Sequence, residues 1–364
     1  MAIILFETGV KDVALEVYHL STLGDEDKYN EFLKLLPPHP LYKKEILLFG
    51  KSPNEELKYF VFIYQNTVVA LMPFFLRKVI INKIDTGFLD VSSPYGYSGP
   101  LYAENTKEEV VRNFWKKIDK WYNNNNIVSE FIRFNMQHNW KGYNGEVNAT
   151  LSNVCGSIIP EKEQWKNFKP KVRNNIRKAQ EYKLSSAIYH KNITADAIKQ
   201  FHSIYINTMK RNKAAPHFFY ELDYFINLIN TNSDICALIL VYKGNKAISA
   251  ELLLLSDNTI HSFLGGTEAD FFHTRPNDFL KYEVLNWARN NGFVNYFLGG
   301  GREDGDSLYH YKKEFFPKDK DRIFYTGRKI VDKDIYDTLV AHNPFCKNCT
   351  LSNYFPKYNC KHPC

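Results

Sequence analysis

The residues best suited to chemistry lie close together in one stretch. It reads Leu298-Gly299-Gly300-Gly301-Arg302, then Asp304 and Asp306, then Tyr311-Lys312-Lys313-Glu314-Phe315. Three successive glycines let the backbone take positive φ and let a ligand approach closely. The lysines offer cations and the acids offer acceptors. Together these groups suit acyl transfer to an amine, which needs a free amine, a polarised carbonyl and a route for the departing proton. Lys312 is better cast as a charge stabilising an oxyanion or leaving group than as a base, unless burial lowers its pKa. Candidate bases are Glu251, the acid in an otherwise apolar run, and Asp304 or Asp306 beside the glycines. Either aspartate equally suits capping the helix that follows, and Glu251 equally suits a hydrogen-bonded strand carboxylate. No Cys or Ser has a convincing nucleophile setting, which predicts direct transfer with no catalytic cofactor. A strand-to-helix connector with surface lysines has the same local pattern, so the surrounding elements must decide.

Those elements follow one plan twice. In the first half, Tyr59 to Gln65 is a β-rich run, Asn66-Thr67 a turn and Val68 to Phe75 a return strand. A helix from Val111 to Tyr122 places Val111, Phe114, Trp115 and Ile118 at helical spacing, and Phe131 to Phe134 forms another strand. In the second half, Cys236 to Tyr242, a Gly244-Asn245 hairpin, Ala247 to Leu255 and Thr259 to Leu264 read as strands. A helix from about Asn277 to Asn291 follows, burying Leu280, Val284, Trp287 and Ala288, and Val294 to Leu298 closes the unit. The expected fold is α/β (α+β), with two like-folded domains of mixed, largely antiparallel sheets flanked by helices. The first spans 1–150, with 318–341 placed to complete it, and the second spans 151–317. A short Cys-rich tail, 342–364, ends the chain.

At 364 residues the chain is too long for one compact core, which agrees with two domains. Hydrophobic residues at 44% and charged residues at 24% fit a soluble globular protein, expected in the cytoplasm. No run approaches the roughly 18 apolar residues of a membrane span. A net charge of +7 favours an anionic small molecule or precursor as partner. Oligomeric state is not legible. The tail spacing, Cys346-x2-Cys349 and later Cys360-x3-Cys364, suits a structural zinc held by four thiolates in two close pairs. A thiol-bearing tail without metal has the same composition.

Between the halves, Lys166 to Lys183 carries seven basic residues. Pro170 suits a helix start, and Val172, Ile176 and Ala179 form one apolar stripe. Arg173 and Arg177 lie one turn apart on the adjacent face. Guanidinium forks at a helix N-terminus make a phosphate site, for a nucleotide-linked substrate or tRNA. A solvated basic face is the plainer reading of the same run.

Four segments together resemble the FemABX-like transferases with tandem GNAT-type domains. They are Pro94-Tyr95-Gly96-Tyr97-Ser98-Gly99-Pro100, the Lys171 to Ala179 helix, Gly265-Gly266-Thr267 with Pro276-Asn277-Asp278-Phe279-Leu280, and the opening glycine-to-lysine stretch. The resemblance implies acyl or aminoacyl transfer to an amine of a cell-envelope or sugar-nucleotide precursor, in a cleft between two domains. By that likeness Tyr95 and Tyr97 contact the acceptor, Arg211 meets acceptor phosphate and Lys312 sits at the transfer site. Tyr311 stands where the family usually has Phe, and Gly299, Gly300 and Gly301 border the substrate. The donor is aminoacyl-tRNA or acyl-CoA. Phe272-His273-Thr274-Arg275-Pro276-Asn277 lacks the glycine-rich turn of acetyl-CoA-dependent GNAT enzymes, which tilts the choice towards aminoacyl-tRNA. An acyl-CoA-dependent N-acyltransferase and a non-catalytic scaffold of the same fold stand as alternatives.

Overall fold

The computed structural model describes residues 13–20, 22–345 and 354–360. The chain divides into two compact units, one formed by Met1–Ala149 with Phe324–Cys364 and the other by Thr150–Ile323. In chain order the first unit contains β1 (Val13–His19), α1 (Leu23–Lys34), α2 (Lys44–Leu47), β2 (Glu55–Tyr64) and β3 (Thr67–Ile81). These are followed by β4 (Ile84–Ser92), β5 (Leu101–Tyr102), α3 (Glu108–Asn124) and β6 (Ile127–Arg133). The chain passes into the second unit within β7 (Glu146–Ser157). There it forms α4 (Glu161–Asn167), α5 (Pro170–Glu181), β8 (Ser185–His190), α6 (Ala195–Arg211), α7 (Leu222–Thr231) and β9 (Cys236–Lys243). Next come β10 (Lys246–Leu255), β11 (Thr259–Thr267), α8 (Pro276–Asn290), β12 (Asn295–Gly299) and α9 (Ser307–Lys313). Finally β13 (Arg322–Ile330) and α10 (Lys333–His342) return to the first unit.

Alternation along the strands explains the layers of the first unit. In β2, Phe60 and Phe62 face α3, joining Phe114, Trp115 and Ile118 in one core. The intervening Tyr59, Val61 and Ile63 face the other way, against Tyr29 and Phe32 of α1. A period of two therefore feeds two cores from one sheet. The strands run in the order β1-β2-β3-β4-β6-β13, with β5 on β3. Only the β4–β6 pair among these is parallel, and α3 is the crossover that joins it. β3 extends well beyond Phe75, because Arg77 and Lys78 meet Asp90 and Asp85 across the ladder and make the continuation amphipathic. The β2–β3 turn is Gln65-Asn66, both at positive φ, one residue earlier than the spacing suggests.

The second unit repeats the plan. Its order is β7-β12-β11-β10-β9-β8, and β11 and β12 are parallel, joined by α8. α8 packs on β8, β9 and β10. Its Leu280, Val284 and Ala288 meet Val172, Ile176 and Ala179 of α5, all fully buried. α6 packs on β10 and β11. There Gly266 is required sterically, since a Cβ would lie 2.4 Å from Thr208 Oγ1 and 2.9 Å from the Ile204 carbonyl oxygen. The mixed sheets flanked by helices are as the residue pattern predicts.

Candidate active site

β12 ends at Gly299, with φ of 72°, and the chain turns sharply away. Asp306 organises this turn. Its carboxylate accepts from Tyr309 N at 2.8 Å, capping α9, and from Arg302 N at 2.7 Å. Gly301 must be glycine, because a Cβ would sit 1.9 Å from Asp306 Oδ1. α9 then directs Lys312 back over the loop, where Nζ donates to the Gly300 carbonyl oxygen at 2.6 Å. Burial, and next the nearby Lys281 charge, pull the Lys312 ammonium down to about 8.

Behind Lys312 lies a buried polar cluster. Lys281 of α8 and Glu251 of β10 form an ion pair at 2.5 Å, their side chains 8% and 6% exposed. Tyr296 donates to Glu251 Oε2 at 2.8 Å, Ser262 donates to Oε1, and Lys281 Nζ donates to Tyr296 Oη at 3.1 Å. Both Glu251 oxygens are thus occupied, as the hydrogen-bonded strand carboxylate among its two readings has it; it fixes Lys281 and raises the affinity of Lys312 for its proton. The Glu251 carboxylate thus acts on both Lys281 and Lys312, and Asp306 also acts on Lys312. Asp278, in the first turn of α8, is 6% exposed and accepts from Asn175 Nδ2 at 3.1 Å. Burial pushes its carboxyl up to about 6. Its charge also acts on Tyr311, whose Oη is buried with no hydrogen-bond partner among the described residues.

Other expected residues have different work. Arg173 Nη1 donates to the carbonyls of Trp165, Lys166 and Phe168, closing the end of α4. The reason is Pro170, which ends α4 before α5 begins and leaves carbonyls for Arg173 to satisfy. Arg177 stacks 5.4 Å over the Trp165 ring and, with Asn174, Lys178, Glu181 and Tyr182, borders a groove of about 410 Å³. Arg211 ties α6 to β11 through the Thr267 carbonyl at 2.8 Å and lies 5.0 Å over Phe272. Asp304 is exposed and accepts from Ser152 N at 2.7 Å, anchoring the loop and not the Lys312 cluster. In the first unit, Tyr95 is 54% exposed and Tyr97 meets Phe324 edge-on at 5.0 Å.

Lys281, Asp278, Tyr296 and Ser262 were not singled out by residue type. Lys281 did carry a signal: it precedes Val284 by three and Ala288 by seven, a lysine on the buried stripe of α8. Cys346, Cys349 and Cys364 lie outside the described residues. Cys360 is 4% exposed, and among the described residues no group of three His, Cys, Asp or Glu is placed to hold a metal.

Residues 166–313, within the second unit, match the family model for an acetyltransferase (GNAT) domain. Among solved structures the chain is similar to FemX at 13% identity, covering 89% of this chain and 99% of that one, with a TM-score of 0.61. It is also similar to L-PGS from Bacillus licheniformis at 11% identity, 87% and 95% coverage and a TM-score of 0.56. A third is the C-terminal domain of a putative lysylphosphatidylglycerol synthetase from Agrobacterium fabrum, at 11%, with 84% and 91% coverage and a TM-score of 0.54. No curated protein sequence matches the chain. The likeness to FemABX-like proteins is therefore borne out in fold, and in the match of residues 166–313 to the GNAT domain model. Among the described residues no helix is long and apolar enough to cross a membrane.

Proposed function

We propose that the protein is an acyltransferase that moves an aminoacyl group from aminoacyl-tRNA onto an amine of an anionic cell-envelope or sugar-nucleotide precursor. The observation that carries this reading is Lys312, a half-buried ammonium at the glycine turn, backed by the Glu251–Lys281 pair. The acceptor nitrogen attacks the ester carbonyl, forming the C–N bond, and the C–O bond to the ribose breaks. Lys312 donates a hydrogen bond to the oxyanion and then a proton to the leaving oxygen. The acceptor nitrogen sheds its proton in the same step, which restores the ammonium. A pKa of about 8 leaves Lys312 charged at neutral pH yet able to give up its proton.

The start of α8 favours this donor over acyl-CoA. Arg275 takes a left-handed conformation, Pro276 removes an amide, and Asp278 brings its own carboxylate to the first turn. A pyrophosphate at that helix end would meet a buried acid instead of a cradle of N–H groups. Two structural neighbours whose names concern FemX and lysylphosphatidylglycerol synthesis agree with aminoacyl transfer at the envelope. The acetyltransferase description of the matching domain favours acyl-CoA instead. Labelled aminoacyl-tRNA and labelled acyl-CoA, each offered with candidate amine acceptors, separate the two. Binding of either donor without turnover supports a non-catalytic protein, and no turnover with either removes the enzyme reading.

A further inference from the structure

The parallel strands β4 and β6 of the first unit end side by side, at Ser92 and Arg133. In sheets with a parallel pair, the carboxyl ends of those strands border the crevice where ligands bind. Arg133 is half-buried there. Its guanidinium stacks 4.8 Å over the Phe131 ring, which fixes the plane of the fork. Nη1 donates to the Ser93 carbonyl at 3.1 Å and reaches Ser92 Oγ at 3.5 Å. These acceptors are neutral, and the Nε and Nη2 donors make no hydrogen bond among the described residues. Among the described residues no carboxylate lies within ion-pair distance of Arg133 either.

Its neighbour Arg77 is different. Arg77 Nε meets Asp90 at 2.6 Å, and Nη1 lies 4.0 Å from Glu55. Asp90 also accepts from Tyr358 at 3.1 Å and Asn359 at 3.0 Å, so its capacity is spent on groups other than Arg133. Two guanidinium groups are thus close enough to repel, with the nearer acid committed to one of them. Burial and then Arg77 disfavour the charge on Arg133, while Tyr95, the more distant Glu55 carboxylate and Tyr354 act on it in the opposite sense. A charge that is desolvated, repelled and unpaired costs stability unless something else compensates it.

We propose that Arg133 is an oxyanion-binding residue of the first unit, taking a phosphate or carboxylate on its free fork beside Tyr95. That the acceptor substrate carries this oxyanion rests on the function proposed above; the site itself does not. Binding is therefore measured without any donor, on the full chain, by titrating inorganic phosphate and, separately, acetate. Wild type is expected to bind at least one of them saturably, and Arg133→Met to weaken that binding at least tenfold. Arg133→Lys is expected to retain part of it, as a charge without the fork. The thermal midpoint of Arg133→Met should equal or exceed that of wild type, because the variant removes a desolvated charge that has no direct ion pair among the described residues. Preference for phosphate or for acetate names the group the ligand bears. Equal binding by Arg133→Met overturns the proposal, as does no saturable binding by wild type. A lowered midpoint accompanying the loss also overturns it, since Arg133 would then be holding the Ser93 loop.

Discussion

Glu251→Gln tests the site most sharply, because the shape is kept and the charge is removed. Lys281 lies 2.5 Å away and both side chains are under a tenth exposed. Breaking one half of such a buried pair typically costs about 3–5 kcal/mol, against 0–1 for an exposed pair. Here the stranded Lys281 ammonium also faces Lys312, so the upper part of that range applies. With a urea slope of about 2 kcal/mol/M, the transition of the second unit should fall by roughly 2–2.5 M. Urea denaturation followed by circular dichroism reads this directly. Adding Lys281→Met should recover most of the loss, because a buried pair replaced as a whole is often near neutral. A single-variant loss below about 1 kcal/mol, or a double variant no more stable than the single, refutes the ion-pair reasoning. A kinetic readout accompanies it: without Glu251 the Lys312 proton is held less tightly, so any activity limb set by Lys312 moves below about 8.

Lys312→Met should lower kcat by about 10²–10³-fold, the usual worth of one oxyanion donor, with an undiminished unfolding midpoint. The lowered pKa also sets two pH effects in wild type. Activity that needs the ammonium falls as pH rises through about 8. Between about 8 and 10.5 the unfolded chain binds a proton that the folded chain does not, so stability rises with pH there, and Lys312→Met removes that rise. Asp278 has the opposite sign. Its folded pKa of about 6 exceeds the ordinary 3.8, so the folded state binds the extra proton and stability falls as pH rises across that window. Asp278→Asn should flatten this part of the pH–stability curve. Gly301→Ala drives a Cβ into Asp306 and displaces the cap of α9, costing about 0.5–2 kcal/mol by denaturation; an unchanged midpoint refutes the steric argument.

Much of this architecture was legible because it is local. Short continuous runs of β-branched, aromatic and aliphatic residues at 59–65 and 236–242 announced strands, and Leu280, Val284 and Ala288 announced the buried face of α8. Gly244-Asn245 marked its hairpin, and Val172, Ile176 and Ala179 marked the docking stripe of α5. Lys312 and the glycine turn could be singled out because chain neighbours supply the turn and its cap. The tie from Arg173 to α4 was not legible, because spacing shows that it shares a face with Arg177 but not that α4 ends nearby with carbonyls to satisfy. Arg133 was passed over for a related reason: one arginine at a strand end looks ordinary until its neighbour is seen to hold the acid.

What the amino-acid order determined by itself was periodicity and turn chemistry. From these came the strands, the amphipathic helices, the repeated plan and a lysine placed one short helix beyond a glycine turn. What only the tertiary structure decided was partnership. Glu251 and Lys281 lie thirty residues apart on a strand and a helix, and nothing in their local spacing joins them. They meet because α8 packs on β10, and that shared burial makes their charges matter to Lys312. Local pattern sets which face a side chain takes. Desolvation and the identity of the opposing charge, which set its chemistry, arise when the elements pack.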